Sequence, residues 1–167
     1  MKRIALLIFL VFCNSFFIVA QEKVDNEITG VWKLTKIKLD SLVLFDSNNQ
    51  DLVINKSLAV LREQKPNFTE EDSLKSISKI ESMYQLFDLL LLEFKKDGRY
   101  NEHTIDHKNE IVLEEGTYTI DSVNSVIEKD DPYGGKIKMK FKLNRNILEL
   151  KTDLGFTHKI MVYERSP

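Results

Sequence analysis

His103 and His107 stand four residues apart, with Asp106 beside the second. On a helix the two rings would share a face and could hold zinc. Here they run from a strand into a turn, where His103 and His107 share parity and Asp106 does not. A zinc site draws on three or four protein ligands, and no further donor stands nearby, so the expectation is a solvated turn and no metal. His158 alternates with Phe156, Ile160 and Val162. That parity predicts an inward-facing histidine, which must find hydrogen-bond partners, either as a satisfied rim residue or as a contact for the polar head of a ligand. Lys136, Lys138, Lys140 and Lys142 alternate with Ile137, Met139, Phe141 and Leu143. Such a row is the wet face of an antiparallel strand and a guard against edge pairing, in preference to an anion or membrane surface. The sequence has no Gly-x-Ser-x-Gly elbow, no Gly-rich phosphate loop and no His-Glu-x-x-His helix. Its acidic residues are scattered, so the expectation is a protein that is not an enzyme and uses no cofactor.

The elements that must position these side chains begin after a leader. Lys2 and Arg3 precede the apolar run Ile4 to Phe12, which Phe16 to Ala20 extends, and Ala20-Gln21 offers a small residue at the cut. Residues 1–20 therefore read as a secretory signal peptide. The unbroken run falls short of the roughly 20 apolar residues a membrane span needs. Cys13 is the sole cysteine and lies inside the leader, behind bulky Phe12, where a lipoprotein signal wants a small residue. The mature chain then has no thiol for catalysis or metal binding and no disulfide, so it must stand on its core. The 167 residues carry 24 Lys and Arg against 26 Asp and Glu, a net charge of −2. Loss of Lys2 and Arg3 leaves 22 basic against 26 acidic side chains, a charge of −4. That balance excludes the concentrated basic field of a nucleic-acid surface. Hydrophobic content of 43% and charged content of 30% suit one globular domain over residues 21–167.

The stretch from Leu89 to Asp121 holds the strongest hairpin. Leu89 to Lys96 and Arg99 to Asp106 flank Asp97-Gly98, residues that tolerate φ > 0 and so suit a tight primed turn. Upstream, Ile28 to Leu39 is the first strand, but its alternation has a fault. Trp32 and Leu34 share one face while Ile37 and Leu39 fall on the other parity, and one extra residue near Thr35-Lys36 would put all four on one side. Leu42 to Phe45 has strand character. Ile54, Leu58 and Leu61 recur at helical spacing within Gln50 to Gln64. Thr69 can cap a second helix running to Asp88, with Asp72 three residues on and Leu74, Ile77, Ile80, Tyr84 and Phe87 as one apolar stripe. Later strands are Ile111 to Asp121, broken or bulged at Gly116, then Ser125 to Lys129, Lys136 to Leu143, Asn146 to Thr152 and Phe156 to Arg165. About eight short strands at close spacing predict an all-β barrel or sandwich, and connections this short allow only antiparallel neighbours.

Gly30-Val31-Trp32, Phe94-Lys95-Lys96-Asp97-Gly98-Arg99-Tyr100, Gly116-Thr117-Tyr118-Thr119-Ile120 and Tyr163-Glu164-Arg165 fall in an order and spacing that resembles the lipocalin-like domains of small secreted bacterial proteins. The resemblance implies a mainly β fold, an antiparallel up-and-down barrel with an apolar pocket at one end. It implies that Trp32 plugs the closed end and that Arg165 packs over it. The departure from lipocalins is a helical insertion over residues 50–88, between the first and second barrel strands. Inward parity alone nominates Phe94, Tyr100, Tyr118, Met139, Phe141 and His158 as pocket-lining residues. The expected function is that of a secreted, non-enzymatic binder of a small hydrophobic or amphipathic molecule, in the periplasm or outside the cell. The rival is a protein-binding module, a secreted inhibitor or envelope assembly partner, that uses the helical insertion and the loop Pro132-Tyr133-Gly134-Gly135.

Overall fold

A computed structural model describes residues 27–130 and 134–167. The leader, Pro132 and Tyr133 lie outside the described residues. Strand β1 (Gly30–Leu39) is the seam of the molecule. Its register against the last strand slips between Leu34 and Lys36, so Thr35 is the extra residue. The Thr35 hydroxyl donates to the Val162 carbonyl at 3.1 Å. The slip brings Trp32, Leu34 and Ile37 into the core together, which a strand without a bulge cannot do, because side chains alternate strictly between faces.

After the turn at Asp40 comes β2 (Leu42–Asp46), which pairs with β1 alone. Two helices follow, α1 (Gln50–Gln64) and α2 (Glu70–Phe87). The remaining strands are β3 (Leu91–Phe94), β4 (Arg99–Ile105), β5 (Ile111–Asp121), β6 (Val126–Asp130), β7 (Lys136–Asn144), β8 (Ile147–Asp153) and β9 (His158–Arg165). Strands β3 to β9 pair antiparallel in chain order, and β9 returns to β1, so eight strands close a barrel. Closure leaves the ring without a free edge. The helical pair and β2 are inserted between β1 and β3, two consecutive strands of that ring.

Helix α2 starts at a capping box. The Asp72 amide donates to the Thr69 hydroxyl at 3.1 Å, and the Thr69 amide donates to the Asp72 carboxylate at 2.9 Å. Lys65 from the α1–α2 connection joins the same carboxylate at 2.8 Å. The other end of α2 docks on the barrel. Tyr84 and Phe87 place their rings 4.8 Å and 5.3 Å from that of Phe45. The Asp46 amide donates to the Tyr84 hydroxyl at 3.1 Å. The first half of α2 stands off instead: Leu74, expected in the packed stripe, is 63% exposed. No helix among the described residues is long and apolar enough to cross a membrane.

Two local expectations change. The β3–β4 connection is not a primed two-residue turn. Lys95 and Arg99 pair across a three-residue loop, the Gly98 amide donates to the Lys95 carbonyl at 3.2 Å, and Gly98 alone takes positive φ, at 79°. Asp97 keeps φ negative and uses its carboxylate instead, accepting from the Arg99 amide at 3.2 Å and its Nε at 2.7 Å. The second change is at Gly116, where β5 runs on unbroken. Gly116 pairs with Tyr100, and a Cβ there would lie 2.8 Å from a carbon of the Tyr100 ring. The glycine makes room for an aromatic side chain and does not bend the strand.

Candidate functional site

Five of the nominated residues form the solid part of the core. Phe94, Tyr100, Tyr118, Met139 and Phe141 are all buried in one cluster. Phe94 and Tyr118 meet edge to face at 4.7 Å. The Tyr118 hydroxyl donates to the Lys95 carbonyl at 2.9 Å, and the Tyr100 hydroxyl donates to the Asp130 carbonyl at 3.0 Å. They fill the barrel, and none of them borders its internal cavity.

His158 lies on the other side of the wall. Its side chain is 45% exposed, and its Nδ1 is 3.8 Å from the Asp153 carboxylate, beyond hydrogen-bond reach. The inward row of β9 is Lys159, Met161, Tyr163 and Arg165. The signal was available, because Arg165 cannot share a face with both Trp32's row and His158 on a regular strand. His103, Asp106 and His107 give a turn: the Asp106 carboxylate accepts the Lys108 and Glu110 amides at 2.9 Å each. That bonding holds the Asp106 carboxyl below its ordinary value. Among the described residues no three His, Cys, Asp or Glu side chains stand together as a metal site. Lys138 and Lys142 of the exposed row reach Glu128 at 3.2 Å and Glu149 at 3.6 Å.

One end of the barrel is sealed. Trp32 is fully buried and donates Nε1–H to the Ile28 carbonyl at 2.7 Å. The Arg165 guanidinium sits over the indole, 4.3 Å from the ring centroid. Its Nη1 donates to the Thr29 carbonyl at 2.8 Å and its Nη2 to the Glu27 carbonyl. Gly30 holds φ at +129°, and a Cβ there would lie 2.8 Å from Nη1 of Arg165. A side chain at position 30 would push the cation off its ring.

The opposite end is hollow. Strand β3 begins only at Leu91, opposite Lys33, while β4 runs on to Ile105. The gap beside β4 is filled from above by Phe87 at the end of α2 and by Leu90. Beneath them lies a cavity of 220 Å³. Its apolar wall is Leu34, Ile37, Phe87, Leu90 and Met161, and its polar wall is Glu102, Thr104, Lys159 and Tyr163.

That polar wall has a defined electrostatic order. Glu102 forms a buried ion pair with Lys129, and Lys129 also lies 4.9 Å from the Tyr100 ring centroid. Thr104 donates to Glu114 at 3.0 Å. Burial pushes the Lys159 ammonium below its ordinary value; the charge of Glu102 works against that shift and the charge of Lys129 adds to it. Burial raises the Tyr163 phenol well above its ordinary value, so it stays a neutral donor. Its hydroxyl meets the Met161 sulfur at 3.5 Å. Sequence reasoning missed Glu102, Lys129 and Lys159. Each shares parity with a core residue, Tyr100, Ile127 and Tyr163 respectively, but charged side chains are ordinarily assigned to the wet face.

Two other concavities are lined by different residues. A 520 Å³ groove runs between α2 and β2, lined by Phe45, Gln50, Glu81, Tyr84 and Asp88 among others. A 330 Å³ hollow over β6 to β9 is lined by Lys138, Met139, Lys140, Lys151 and His158 among others, so two of the nominated residues, Met139 and His158, meet there. Both are larger than the 220 Å³ cavity, but neither is lined by inward-facing ionic groups of the barrel.

The fold and this site define a closed antiparallel barrel, sealed at one end and carrying a small polar-floored cavity at the other. No family model matches the sequence, and no curated protein matches it. Among solved structures the chain is similar to a DUF4847 family protein from Bacteroides vulgatus, with a TM-score of 0.49, 11% identity, and coverage of 84% of this chain and 96% of that one.

Proposed function

We propose that this chain is an exported, non-enzymatic, lipocalin-like protein that binds a small amphipathic molecule in the cavity between β1, β4 and β9. The observation that carries the reading is the split lining of the 220 Å³ space, apolar on one wall and polar, with Glu102 and Lys159, on the other. Ligand sites are concave and mostly apolar, with a few convergent polar groups. The volume lies below the roughly 300–1,000 Å³ of drug-sized sites, so the guest is small. The commitment of Thr104 to Glu114 and of Glu102 to Lys129 supports a binder over an enzyme, since neither is left as a base beside a nucleophile. The basic, apolar leader at residues 1–20 supports export.

A second reading has its own observation. The helical pair exposes Leu52 at 52%, Leu61 at 36% and Leu74 at 63%, a surface that suits a protein partner. One experiment separates the two. Native mass spectrometry of the protein purified after export is expected to show a small co-purifying molecule, and the variant Leu90→Trp is expected to lose it. A guest retained by Leu90→Trp would place it elsewhere and sink the cavity reading. A protein adduct retained by that variant would favour the helical surface.

A further inference from the structure

Resting on the cavity reading above, we infer that the guest is a small carboxylate whose head pairs with Lys159. The groups that face Lys159 come from every neighbouring element. Strand β1 and the end of α2 supply Leu34, Ile37, Phe87 and Leu90, and the register partners of Lys159 are Leu39 on β1 and Thr152 on β8. Strand β4 supplies Glu102, Thr104 and His103, β5 supplies Glu114 and β6 supplies Lys129. Both carboxylates already have donors: Glu102 takes Lys129 and Glu114 takes Thr104. Among the described residues the Lys159 ammonium has no ion pair and no hydrogen-bond acceptor, although Lys159 borders the cavity.

Lys159 is half-buried, and a cation drawn partly out of water without a counter-ion loses solvation that nothing replaces. The same burial holds the Lys159 ammonium below its ordinary value. A carboxylate entering the cavity supplies the missing acceptor as a charge-assisted bond, about 2.7–2.9 Å long and roughly twice as strong as a neutral one. The Tyr163 hydroxyl borders the same space with only a thioether sulfur as acceptor, at 3.5 Å, so a second donor stands ready. The apolar wall opposite then takes a short hydrocarbon tail. A neutral alcohol would fill the same wall but leave the cation as it is, and an amine would add a second positive charge.

The test uses three probes of equal chain length, octanoate, octan-1-ol and octylamine, titrated calorimetrically into the protein purified after export. Octanoate is expected to bind at least tenfold more tightly than octan-1-ol, and octylamine least of all. Lys159→Met is expected to bring octanoate down to the level of octan-1-ol while leaving octan-1-ol unchanged, which also shows that the variant is folded. Lys159→Arg is expected to keep the preference. Equal binding of octanoate and octan-1-ol, or a preference that survives Lys159→Met, overturns the anchor and leaves the cavity reading standing. Binding of none of the three overturns the cavity reading as well.

Discussion

At the end of the barrel where β1 begins, each inward group meets a partner. The Trp32 indole is capped by Arg165, and that guanidinium is fixed by the Thr29 and Glu27 carbonyls. At the end where β9 begins, Glu102, Lys129 and Lys159 stand in or beside a space of 220 Å³. The same eight-strand ring holds both. Eight strands enclose an interior that side chains can either fill or leave open to one small ligand, and this barrel does each at a different height. The sealed end turns apolar burial into stability. The hollow end gives up packing and carries ionic groups that a stability-driven core would exclude.

The largest expected effect tests the sealed end. Trp32→Ala removes a fully buried aromatic and the platform of Arg165, and is expected to cost about 3–5 kcal/mol, read as a lowered urea midpoint. An unchanged midpoint would break the contrast, because that end would then not be what holds the barrel together. The next effect tests the hollow end. Glu102→Gln leaves the Lys129 charge buried without its partner and is expected to cost about 3 kcal/mol, while Glu102→Leu combined with Lys129→Met stays within about 1 kcal/mol of the parent. A neutral single variant would mean that water already reaches this floor.

The smallest effect concerns α2, whose last turn covers the hollow end. The Lys65 ammonium, and after it the Thr69 amide and hydroxyl, lower the Asp72 carboxyl from 3.8 to about 2. A carboxyl lowered by folding adds stability that is complete above its ordinary value and fades as pH falls through the folded one. The start of α2 is therefore expected to lose helicity, by far-ultraviolet circular dichroism, between pH 3.8 and about 2. Asp72→Asn is expected to flatten that acid loss while the near-ultraviolet signal of the core stays constant. A parent and variant with identical acid profiles would remove the capping box as a source of α2 stability.

Much of the fold was legible because local patterns determine it. The parity fault in Ile28 to Leu39 is the slip at Thr35. The span proposed for the first helix is α1 itself, Gln50–Gln64. The Thr69 cap with Asp72 is the start of α2. The turn at Gly98 was legible in place but not in type, since a glycine serves a primed turn and a bulged three-residue loop equally well. Gly116 misled for a related reason: a glycine in a strand marks a bulge or a close approach, and only the partner strand, with Tyr100 across from it, tells which.

The site was barely legible. Phe94, Tyr100, Tyr118, Met139 and Phe141 were correctly placed inside, but inside is not the same as around a void. Whether inward aromatic side chains fill a barrel or line it depends on its radius at their height and on the residue opposite. Alternation with Phe156, Ile160 and Val162 puts His158 inside, whereas the inward Arg165 on the same strand puts it outside.

By itself, then, the sequence determined the order of the strands and helices, the bulge that keeps β1 facing inward and the cap that starts α2, because each follows from neighbours a few residues apart. Tertiary structure alone decided which charges stand inside. Glu102 and Lys129 lie 27 positions apart in the chain, and Lys159 is farther on still. A strand tolerates an inward charge only when another strand brings its counter-ion, or when a cavity leaves room for one to arrive, and neither condition is written in the residues on either side of it.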